Sequence, residues 1–573
     1  MAPDTFVAVS EFPESRQSTL ALTIRGGNTE VTMLDARMMD FPLTLTHFLD
    51  RARTQFPRAE IVSRRADGVI ERTTYGAVSA RAARLSNALR RLGVKTGDRV
   101  ATLAWNHAWH FEAYCAIPTM GAVLHTLNLR LSPDDLAYIA SHAEDSVVIV
   151  DESLLPLLAK FKSGVSSIRH VIVMRESDAP LAPGFLDYEA LLAAESETFD
   201  TPSLDERSAA VICYTSGTTG RPKGVVYTHR STVLHTLGIC MTDVIGVGNR
   251  DCVLPVVPMF HANAWGLPYA CLCTGAKLVL PGPRLDAKSL LELMADEKVT
   301  IAAGVPTIWL GILHVLDQAP GVYDLSRVHT MLIGGSAAPP SMIEGFKTRH
   351  GLEVLHAWGM TEMSPLGSIA RVKKHLDGLD DEGELAIRAT QGYATAFVET
   401  RHVDDTQRIL PRDGTSMGEL EVRGAWVASS YMKDEDPSRW TRDGWFKTGD
   451  VVTLDDNGYI RICDRSKDVI KSGGEWISSV ELENAIMSHP AVLEAAVFAG
   501  KHEKWDERPI AAVVLKPGQT ASEGDLARHL EGRLAKWWLP DAYVFIDQVP
   551  RTSTGKFLKT RLRELYSDLL LKK

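Results

Sequence analysis

The sequence reads Tyr214-Thr-Ser-Gly-Thr-Thr-Gly-Arg-Pro-Lys-Gly224 at the point that decides the fold. The preceding run, Ala209-Ala-Val-Ile-Cys213, is typical of a short buried strand. In the loop, glycines let backbone N–H groups turn towards an anion, hydroxyls add neutral donors, and a lysine adds positive charge. The loop therefore indicates a triphosphate site, with candidate ligands Thr215, Ser216, Gly217, Thr218, Thr219 and Lys223.

Outward from this loop, helical and strand-like segments alternate along the chain. Tyr75–Leu92 has a helical pattern, whereas Asp98–Ala104, Ser146–Val150 and His170–Met174 are strand-like. The alternation resumes after the loop, with strand-like runs at residues 299–304 and 330–334. Strands that alternate with helices predict parallel, doubly wound sheets, and hence an α/β fold.

Further along the chain the pattern changes twice. From about residue 390 the apolar runs shorten and glycines multiply, which predicts a β-rich subdomain over about 390–466. Residues 467–573 have strands and helices of their own, with helices predicted at 479–488 and 523–536, and form a small α+β domain. We therefore expect a large domain over 33–466 and a small C-terminal domain, preceded by a polar, pattern-poor leader at 1–32 that is disordered.

Composition excludes several classes of protein. The 573 residues carry a formal net charge of −10, which argues against a nucleic-acid-binding face. Seven scattered cysteines form no C-x-x-C pair, so neither a zinc site nor a disulfide framework is indicated. No apolar run approaches the length of a membrane span, and the N-terminus lacks the apolar stretch of a secretory signal, so we expect a cytoplasmic protein.

Further motifs place glycines, hydroxyls and carboxylates close together in short runs. Trp358-Gly-Met-Thr-Glu362 follows an apolar strand; Thr361 can donate to a phosphate oxygen, and Glu362 can hold Mg²⁺ on a triphosphate. Gly334-Gly335-Ser336 follows another strand, where glycines would let a flat base lie against the backbone. In Trp445-Phe-Lys-Thr-Gly-Asp450, the final carboxylate suits two neighbouring hydroxyls.

The C-terminal part carries two more motifs, Asp464-Arg-Ser-Lys-Asp-Val-Ile-Lys-Ser-Gly-Gly-Glu-Trp-Ile477 and Pro550-Arg-Thr-Ser-Thr-Gly-Lys556. Together with the phosphate loop, the motifs resemble those of the adenylate-forming superfamily of acyl-CoA synthetases, luciferases and peptide-synthetase adenylation domains. The resemblance extends from about residue 40 to the end of the chain. It implies a large N-terminal domain joined to a small, mobile C-terminal domain, with ATP, CoA and Mg²⁺ as cofactors.

The resemblance also implies roles for individual residues. Lys556 is the catalytic lysine, Thr361 and Glu362 act on the phosphates and Mg²⁺, Asp450 and Arg465 bind the ribose, and Lys467 is the hinge between the domains. Gly473 and Gly474 pass beside the thiol of CoA, with Trp476 close to them. The nucleotide pocket is implied to include Gly334, Gly335, Ser336, His356, Ala357, Trp358, Gly359 and Met360.

The segment Pro258-Met-Phe-His-Ala-Asn-Ala-Trp265 bears on which carboxylic acid is the substrate. Relatives that activate amino acids place an aspartate where His261 stands, so a simple organic acid is favoured. The resemblance implies an acyl pocket walled by His261, Trp265, Val305, Trp358 and Pro365. Two tryptophans predict a shortened cavity and a short- or medium-chain acid. The motifs resemble the branch of medium-chain acyl-CoA synthetases that includes 3-methylmercaptopropionate-CoA ligases, and fatty, methylthio and aryl acids all remain open.

Three functions are compatible with these residues. The first is an AMP-forming acyl-CoA ligase, in which ATP converts a carboxylic acid to an acyl-adenylate that CoA then intercepts. The second is an adenylating enzyme that loads an aryl or acyl group onto a separate carrier protein, since only 17 residues follow Lys556. The third is a degenerate nucleotide-binding protein, which the intact motifs disfavour. Homodimers are common among such enzymes, although the sequence shows no interface signature.

Overall fold

A computed structural model describes the protein over residues 38–215, 221–472, 475–551 and 557–572. The predicted leader, residues 1–32, lies outside these ranges. The described residues from Pro42 onward form one compact unit. Among them, no helix combines the length and the apolar character that crossing a membrane would require.

The strands and helices of the described residues fall into four sheets and the helices that cover them. The strands are β1 (Glu60–Arg64), β2 (Ile70–Thr74), β3 (Arg99–Leu103), β4 (Val123–Thr126), β5 (Asp145–Asp151), β6 (His170–Met174), β7 (Phe185–Asp187), β8 (Ala209–Tyr214), β9 (Gly224–Thr228), β10 (Cys252–Pro255), β11 (Lys277–Leu280), β12 (Ile301–Gly304), β13 (Thr330–Ile333), β14 (Val354–Gly359), β15 (Leu366–Ile369), β16 (Tyr393–Ala394), β17 (Val398–Val403), β18 (Gly418–Gly424), β19 (Phe446–Leu454), β20 (Ile460–Arg465), β21 (Ile470–Ser472), β22 (Glu475–Ile477), β23 (Val492–His502), β24 (Asp506–Leu515) and β25 (Ala542–Phe545). The α-helices are α1 (Thr46–Gln55), α2 (Tyr75–Arg91), α3 (Ala108–Thr119), α4 (Pro133–Ala143), α5 (Leu155–Phe161), α6 (Tyr188–Ala193), α7 (His229–Cys240), α8 (Leu267–Thr274), α9 (Ala287–Asp296), α10 (Pro306–Gln318), α11 (Pro340–His350), α12 (Asp381–Arg388), α13 (Ser479–Met487), α14 (Glu523–Leu530) and α15 (Lys559–Tyr566).

Two large sheets confirm the predicted α/β class. The first has the order β7-β6-β5-β3-β4-β8-β9 and is parallel except for its antiparallel β8–β9 edge. The second has the order β16-β15-β14-β13-β12-β10-β11-β1-β2, with a parallel centre and antiparallel edges. Strands covered on both faces read as continuous apolar runs, and β5, buried along its whole length, has Val147 to Val150 at its centre.

The two large sheets place the sequence motifs at strand ends. The phosphate loop leaves the carboxyl end of β8, Gly334 follows β13, and Met360 follows β14. In open α/β sheets, ligands bind beyond the carboxyl ends of the strands. Helix α7 begins at the end of the β8–β9 hairpin with a reciprocal cap, in which Thr228 and Ser231 each bind the other's backbone N–H. The fold therefore gathers the motifs at one edge.

The C-terminal half supplies two smaller sheets. Strands β17 to β20 form an antiparallel sheet within the region predicted to be β-rich. A five-stranded sheet, β22-β21-β24-β23 with β25 on β24, forms the smaller C-terminal part. The helix predicted at 523–536 is too long: α14 ends at Leu530, because Glu531 is extended and Gly532 has a φ of 75°. The exact domain boundaries, including the hinge at Lys467, stay predictions.

Candidate active site

One cavity of about 590 Å³ lies where the two large sheets, the four-stranded sheet and the C-terminal part meet. Most of the predicted site residues that the structure describes line it. They are Thr215, Lys223, His261, Trp265, Gly334, Gly335, Ser336, His356, Ala357, Trp358, Gly359, Met360, Thr361, Glu362, Pro365, Asp450, Arg465 and Lys467. Residues as far apart in the chain as Thr215 and Lys467 are thus brought together around one cavity.

The base of the phosphate loop is closed by hydrogen bonds. The backbone N–H of Thr215 donates to the carbonyl of Lys223 (2.9 Å), and the N–H of Lys223 donates to Thr215 Oγ1 (3.0 Å). The Lys223 ammonium pairs with the Asp436 carboxylate and lies 5.1 Å from the ring centre of Tyr431. The other predicted phosphate ligands, Ser216, Gly217, Thr218 and Thr219, lie outside the described residues.

Glu362 is a buried carboxylate next to Lys223 and its partners. Its Oε1 accepts a hydrogen bond from the Tyr431 hydroxyl (2.5 Å), and the pKa of that hydroxyl is raised by burial and by the Glu362 charge. The described residues contain no cluster of three or more His, Cys, Asp and Glu side chains that could hold a metal. One carboxylate nevertheless suits Mg²⁺, which binds one or two protein carboxylates together with substrate phosphates and water.

Asp450 forms the centre of the predicted ribose site and is fully buried. Its Oδ2 accepts a hydrogen bond from the Trp358 indole N–H (2.9 Å). Its Oδ1 lies 2.8 Å from Arg465 Nε, yet it makes no well-directed hydrogen bond with any residue that the structure describes. A buried carboxylate oxygen without a donor is costly, so Oδ1 is suited to accept from a ligand hydroxyl.

The wall beside the predicted adenine site is made of glycine and neutral histidine. Gly335 has a φ of 87°, a conformation that glycine adopts readily, and a Cβ on Gly334 would lie 3.2 Å from the Trp265 ring. His356 is fully enclosed, and burial lowers its pKa to about 4, so the imidazole is neutral at pH 7. The backbone can therefore lie close to a flat ring here.

Four consecutive non-glycine residues with positive φ carry Trp265 into the cavity. Ala262, Asn263, Ala264 and Trp265 have φ values of 43°, 56°, 46° and 58°. Left-handed backbone costs about 1 kcal/mol or more for each such residue, so neighbouring contacts must hold the turn. Part of that support comes from Tyr114, whose hydroxyl donates to Asn263 Oδ1 (3.2 Å) and to the Met259 carbonyl.

A second wall of the apolar part is the segment Pro365–Leu366. The backbone N–H of Leu366 donates to His235 Nε2 (3.3 Å), and its carbonyl accepts from the Trp426 indole N–H (2.9 Å). Burial lowers the pKa of His235 to about 3, so the imidazole is neutral, and Nε2 accepts the Leu366 hydrogen bond in the tautomer that carries its proton on Nδ1. Neutral groups therefore fix the shape of this part of the cavity.

Two predicted residues do not line the cavity. Val305 precedes α10, and its Cγ1 would lie 3.3 Å from a Cβ on Gly335, so it supports the wall from behind. Trp476 lies on β22, where its ring is 5.5 Å from the Lys471 ammonium. Gly473, Gly474 and Lys556 lie outside the described residues.

The chain on either side of Lys556 reaches the cavity. Arg551 before it and Phe557 after it both line the cavity wall, as does Lys467, whose pKa is lowered by burial. The described flanks of the predicted catalytic lysine therefore face the same space as the nucleotide motifs.

Sequence reasoning missed Tyr431 and Asp436, which contact Glu362 and Lys223 from the segment between β18 and β19. Neither stands in a motif, and their partners are 69 and 213 residues away. A pairing across such distances leaves no local pattern, so only the folded structure identifies these residues.

Comparisons with known protein families match most of the chain. The family described as "AMP-binding enzyme" matches residues 49–432, and the "AMP-binding enzyme C-terminal domain" matches residues 481–556. The second match contains Lys556 and begins 14 residues after the predicted hinge at Lys467.

Individual relatives cover nearly the whole chain. A long-chain-fatty-acid–CoA ligase of Thermus thermophilus is 50% identical, over 93% of this chain and 97% of the relative. A 3-methylmercaptopropionyl-CoA ligase of Ruegeria lacuscaerulensis is 46% identical, over 93% and 99%. Among solved structures, an anthranilate CoA ligase in complex with anthranoyl-AMP superposes with a TM-score of 0.81 at 26% identity, over 93% and 99% of the two chains.

Proposed function

We propose which acid this chain activates, given that the chain belongs to the AMP-binding enzyme family and is an AMP-forming acid–thiol ligase. Such a ligase joins a carboxylic acid to the α-phosphate of ATP, with release of pyrophosphate, and then passes the acyl group to the thiol of CoA, with release of AMP. The acid itself is not fixed by family membership. The shape of the apolar part of the cavity bears on it.

The proposed substrate is a short- or medium-chain carboxylic acid, with 3-methylmercaptopropionate among the candidates. One observation carries this proposal: the half-buried Trp265 ring lies against Gly334 and occupies the apolar part of the cavity. A large ring in that place leaves less length for an alkyl chain. A methylthio acid has nearly the shape of a five- or six-carbon fatty acid, so the pocket would accept both.

The names of the relatives do not choose between short and long acids. The Thermus relative is named for long-chain fatty acids and the Ruegeria relative for 3-methylmercaptopropionate, at 50% and 46% identity. A difference of one methylene in an apolar pocket changes discrimination by about 1–3 kcal/mol. A few pocket side chains can therefore separate the substrates of enzymes that are each about half identical to this chain.

In the first step, we propose that the residues beside the phosphates stabilise the negative charge that develops there. Negative charge builds on the α-phosphoryl oxygens and on the departing pyrophosphate, where Lys556, Thr361 and Lys223 would donate. Bound Mg²⁺, held by Glu362 and the phosphates, would supply further positive charge there. Asp450 and Arg465 would orient the ribose, since Oδ1 of Asp450 accepts no well-directed hydrogen bond from the described residues.

For the second step, we propose that the C-terminal part rotates about Lys467. That movement would withdraw Lys556 and bring Gly473 and Gly474 beside the thiol, so that one cavity serves two reactions in turn. The position of Arg551 and Phe557 on the cavity wall supports assignment of the present arrangement to the first step.

Acid-dependent release of AMP from ATP, measured with and without CoA, tests the proposed substrate. The acids would run from acetate to decanoate and include 3-methylmercaptopropionate and cinnamate. We expect CoA-dependent turnover that is greatest for acids with about four to six heavy chain atoms. A maximum at decanoate would contradict the short pocket. Pyrophosphate exchange without CoA turnover would instead identify an enzyme that loads a carrier protein.

A further inference from the structure

The described residues on either side of Lys556 are joined to each other. Arg551 and Phe557 form an antiparallel backbone bridge, and the N–H of Leu558 donates to the Pro550 carbonyl (2.7 Å). The Arg551 guanidinium lies 4.9 Å from the Phe557 ring centre and pairs with Glu494 on β23. Arg551 and Phe557 are therefore held together and attached to the C-terminal sheet.

A buried lysine lies two positions after Phe557. Lys559 is the first residue of α15 and is 8% exposed. Its ammonium lies 2.7 Å from Glu483 Oε1 and donates to Ser479 Oγ (2.5 Å). Burial alone would lower the pKa of Lys559, but the carboxylates of Glu483 and Asp464 outweigh it and raise that pKa, so the amine stays charged.

A buried ion pair of this kind is a poor way to add stability. Removing two charges from water costs about as much as their attraction returns, and apolar residues of similar volume often replace such pairs without loss. Glu483 shows the cost, since burial raises its pKa to about 6 even beside Lys559. The pair therefore calls for an explanation in terms of geometry.

The contacts of Lys559 lead to the proposed ribose site. Ser479, which Lys559 contacts, also donates its backbone N–H to Asp464 Oδ2 (2.7 Å). The other carboxylate oxygen of Asp464 accepts from the N–H of Arg465 (2.7 Å). Arg465 in turn lies 2.8 Å from Asp450. One continuous chain of polar contacts thus links Asp450 to the residue three positions after Lys556.

We propose that Lys559 is a positioning residue for adenylate formation, which holds α15 and the described residues beside Lys556 in place against the nucleotide site. Through Ser479 and Asp464 it fixes α15 relative to the strand that carries Arg465. This inference rests on the proposed function, in which Lys556 acts in the first step and is withdrawn for the second. Lys559 should therefore matter to adenylate formation and not to thioester formation.

Lys559→Met tests the proposal when the two half-reactions are measured separately. Adenylate formation would be followed by acid-dependent pyrophosphate exchange, and thioester formation by release of AMP from supplied acyl-AMP and CoA. We expect adenylate formation to fall about 10- to 100-fold, the size of effect that a small misplacement of a catalytic group produces. We expect thioester formation to stay within about twofold of the unsubstituted enzyme.

Two further variants separate positioning from stability. Arg561→Gln is the matched control, because Arg561 lies on the same helix and pairs with Glu564 in solvent; both half-reactions should be unchanged. Lys559→Met combined with Glu483→Gln removes the unpaired buried carboxylate, which would restore the melting temperature but not adenylate formation.

Equal losses in both half-reactions, or full adenylate formation in the double variant, would overturn the proposal. A failure of the proposed function is recognised separately, since the unsubstituted enzyme would then show no acid-dependent pyrophosphate exchange.

Discussion

The nucleotide part and the apolar part of the cavity are built in different ways. The nucleotide part consists of short contiguous runs at strand ends, with charged groups such as Glu362 and Asp450 buried among donors. The apolar part is assembled from separate elements, with Trp265 on a left-handed turn and Leu366 held by a neutral histidine. In the proposed function, one part recognises charge and the other recognises shape.

This difference explains which part of the site a sequence reveals. Binding a triphosphate and a ribose requires particular donors and carboxylates at fixed places, so few sequences satisfy it. Filling an apolar space to a given length can be done by many combinations of side chains. Changes in the nucleotide part should therefore affect all acids equally, whereas changes in the apolar part should alter the ranking of acids.

The largest effect is expected for Lys556→Ala. We expect adenylate formation to fall about 100- to 1000-fold for every acid, because a preorganised charge opposite the α-phosphate is lost. Pyrophosphate exchange with butyrate and with octanoate would measure this, and the two losses should agree. Thioester formation from supplied acyl-AMP should be largely retained.

The control for this change is Lys504→Ala, which removes an exposed lysine of the same domain whose ammonium lies over Trp505. It should leave both half-reactions as they are. If Lys556→Ala also abolished thioester formation, the assignment of the two steps to two arrangements of the C-terminal part would be wrong.

Much of the fold and most of the nucleotide part could be predicted from the sequence, because their signals are local. Apolar runs such as His170–Met174 are strands with the predicted bounds, and motif residues such as Glu362 line the cavity. Tyr431 and Asp436 could not be predicted, since each gains its importance from a partner far along the chain. The left-handed turn at 262–265 also escaped prediction, because it contains no glycine.

Within the apolar part, Trp265→Ala should alter the choice of acid. We expect the ratio of kcat/KM for decanoate to that for butyrate to rise by about 10-fold or more, since removing the ring lengthens the space beside Gly334. Steady-state kinetics over the series of acids would measure the ratio, which does not depend on the amount of folded enzyme.

Trp537→Ala is the matched control, because that tryptophan is 44% exposed and does not line the cavity. Its ratio should equal that of the unsubstituted enzyme. If Trp265→Ala instead lowered turnover equally for all acids, Trp265 would belong with the nucleotide part, and the division of the cavity into two parts would fail.

The smallest effect is expected for Tyr431→Phe, which tests whether a residue outside every motif still behaves as part of the nucleotide site. The change keeps the ring beside Lys223 and removes only the hydroxyl that donates to Glu362. A hydrogen bond to a charged group contributes about 1.5–3 kcal/mol. Because water can replace the hydroxyl in the cavity, we expect kcat/KM for ATP to fall only about 3- to 10-fold. Tyr543→Phe is the control, since the Tyr543 hydroxyl is buried and has no hydrogen-bond partner among the described residues. The loss should be the same with butyrate as with octanoate, because Tyr431 acts on the charged side of the cavity; a loss confined to one acid would mean that charge and shape recognition are not separable in this enzyme.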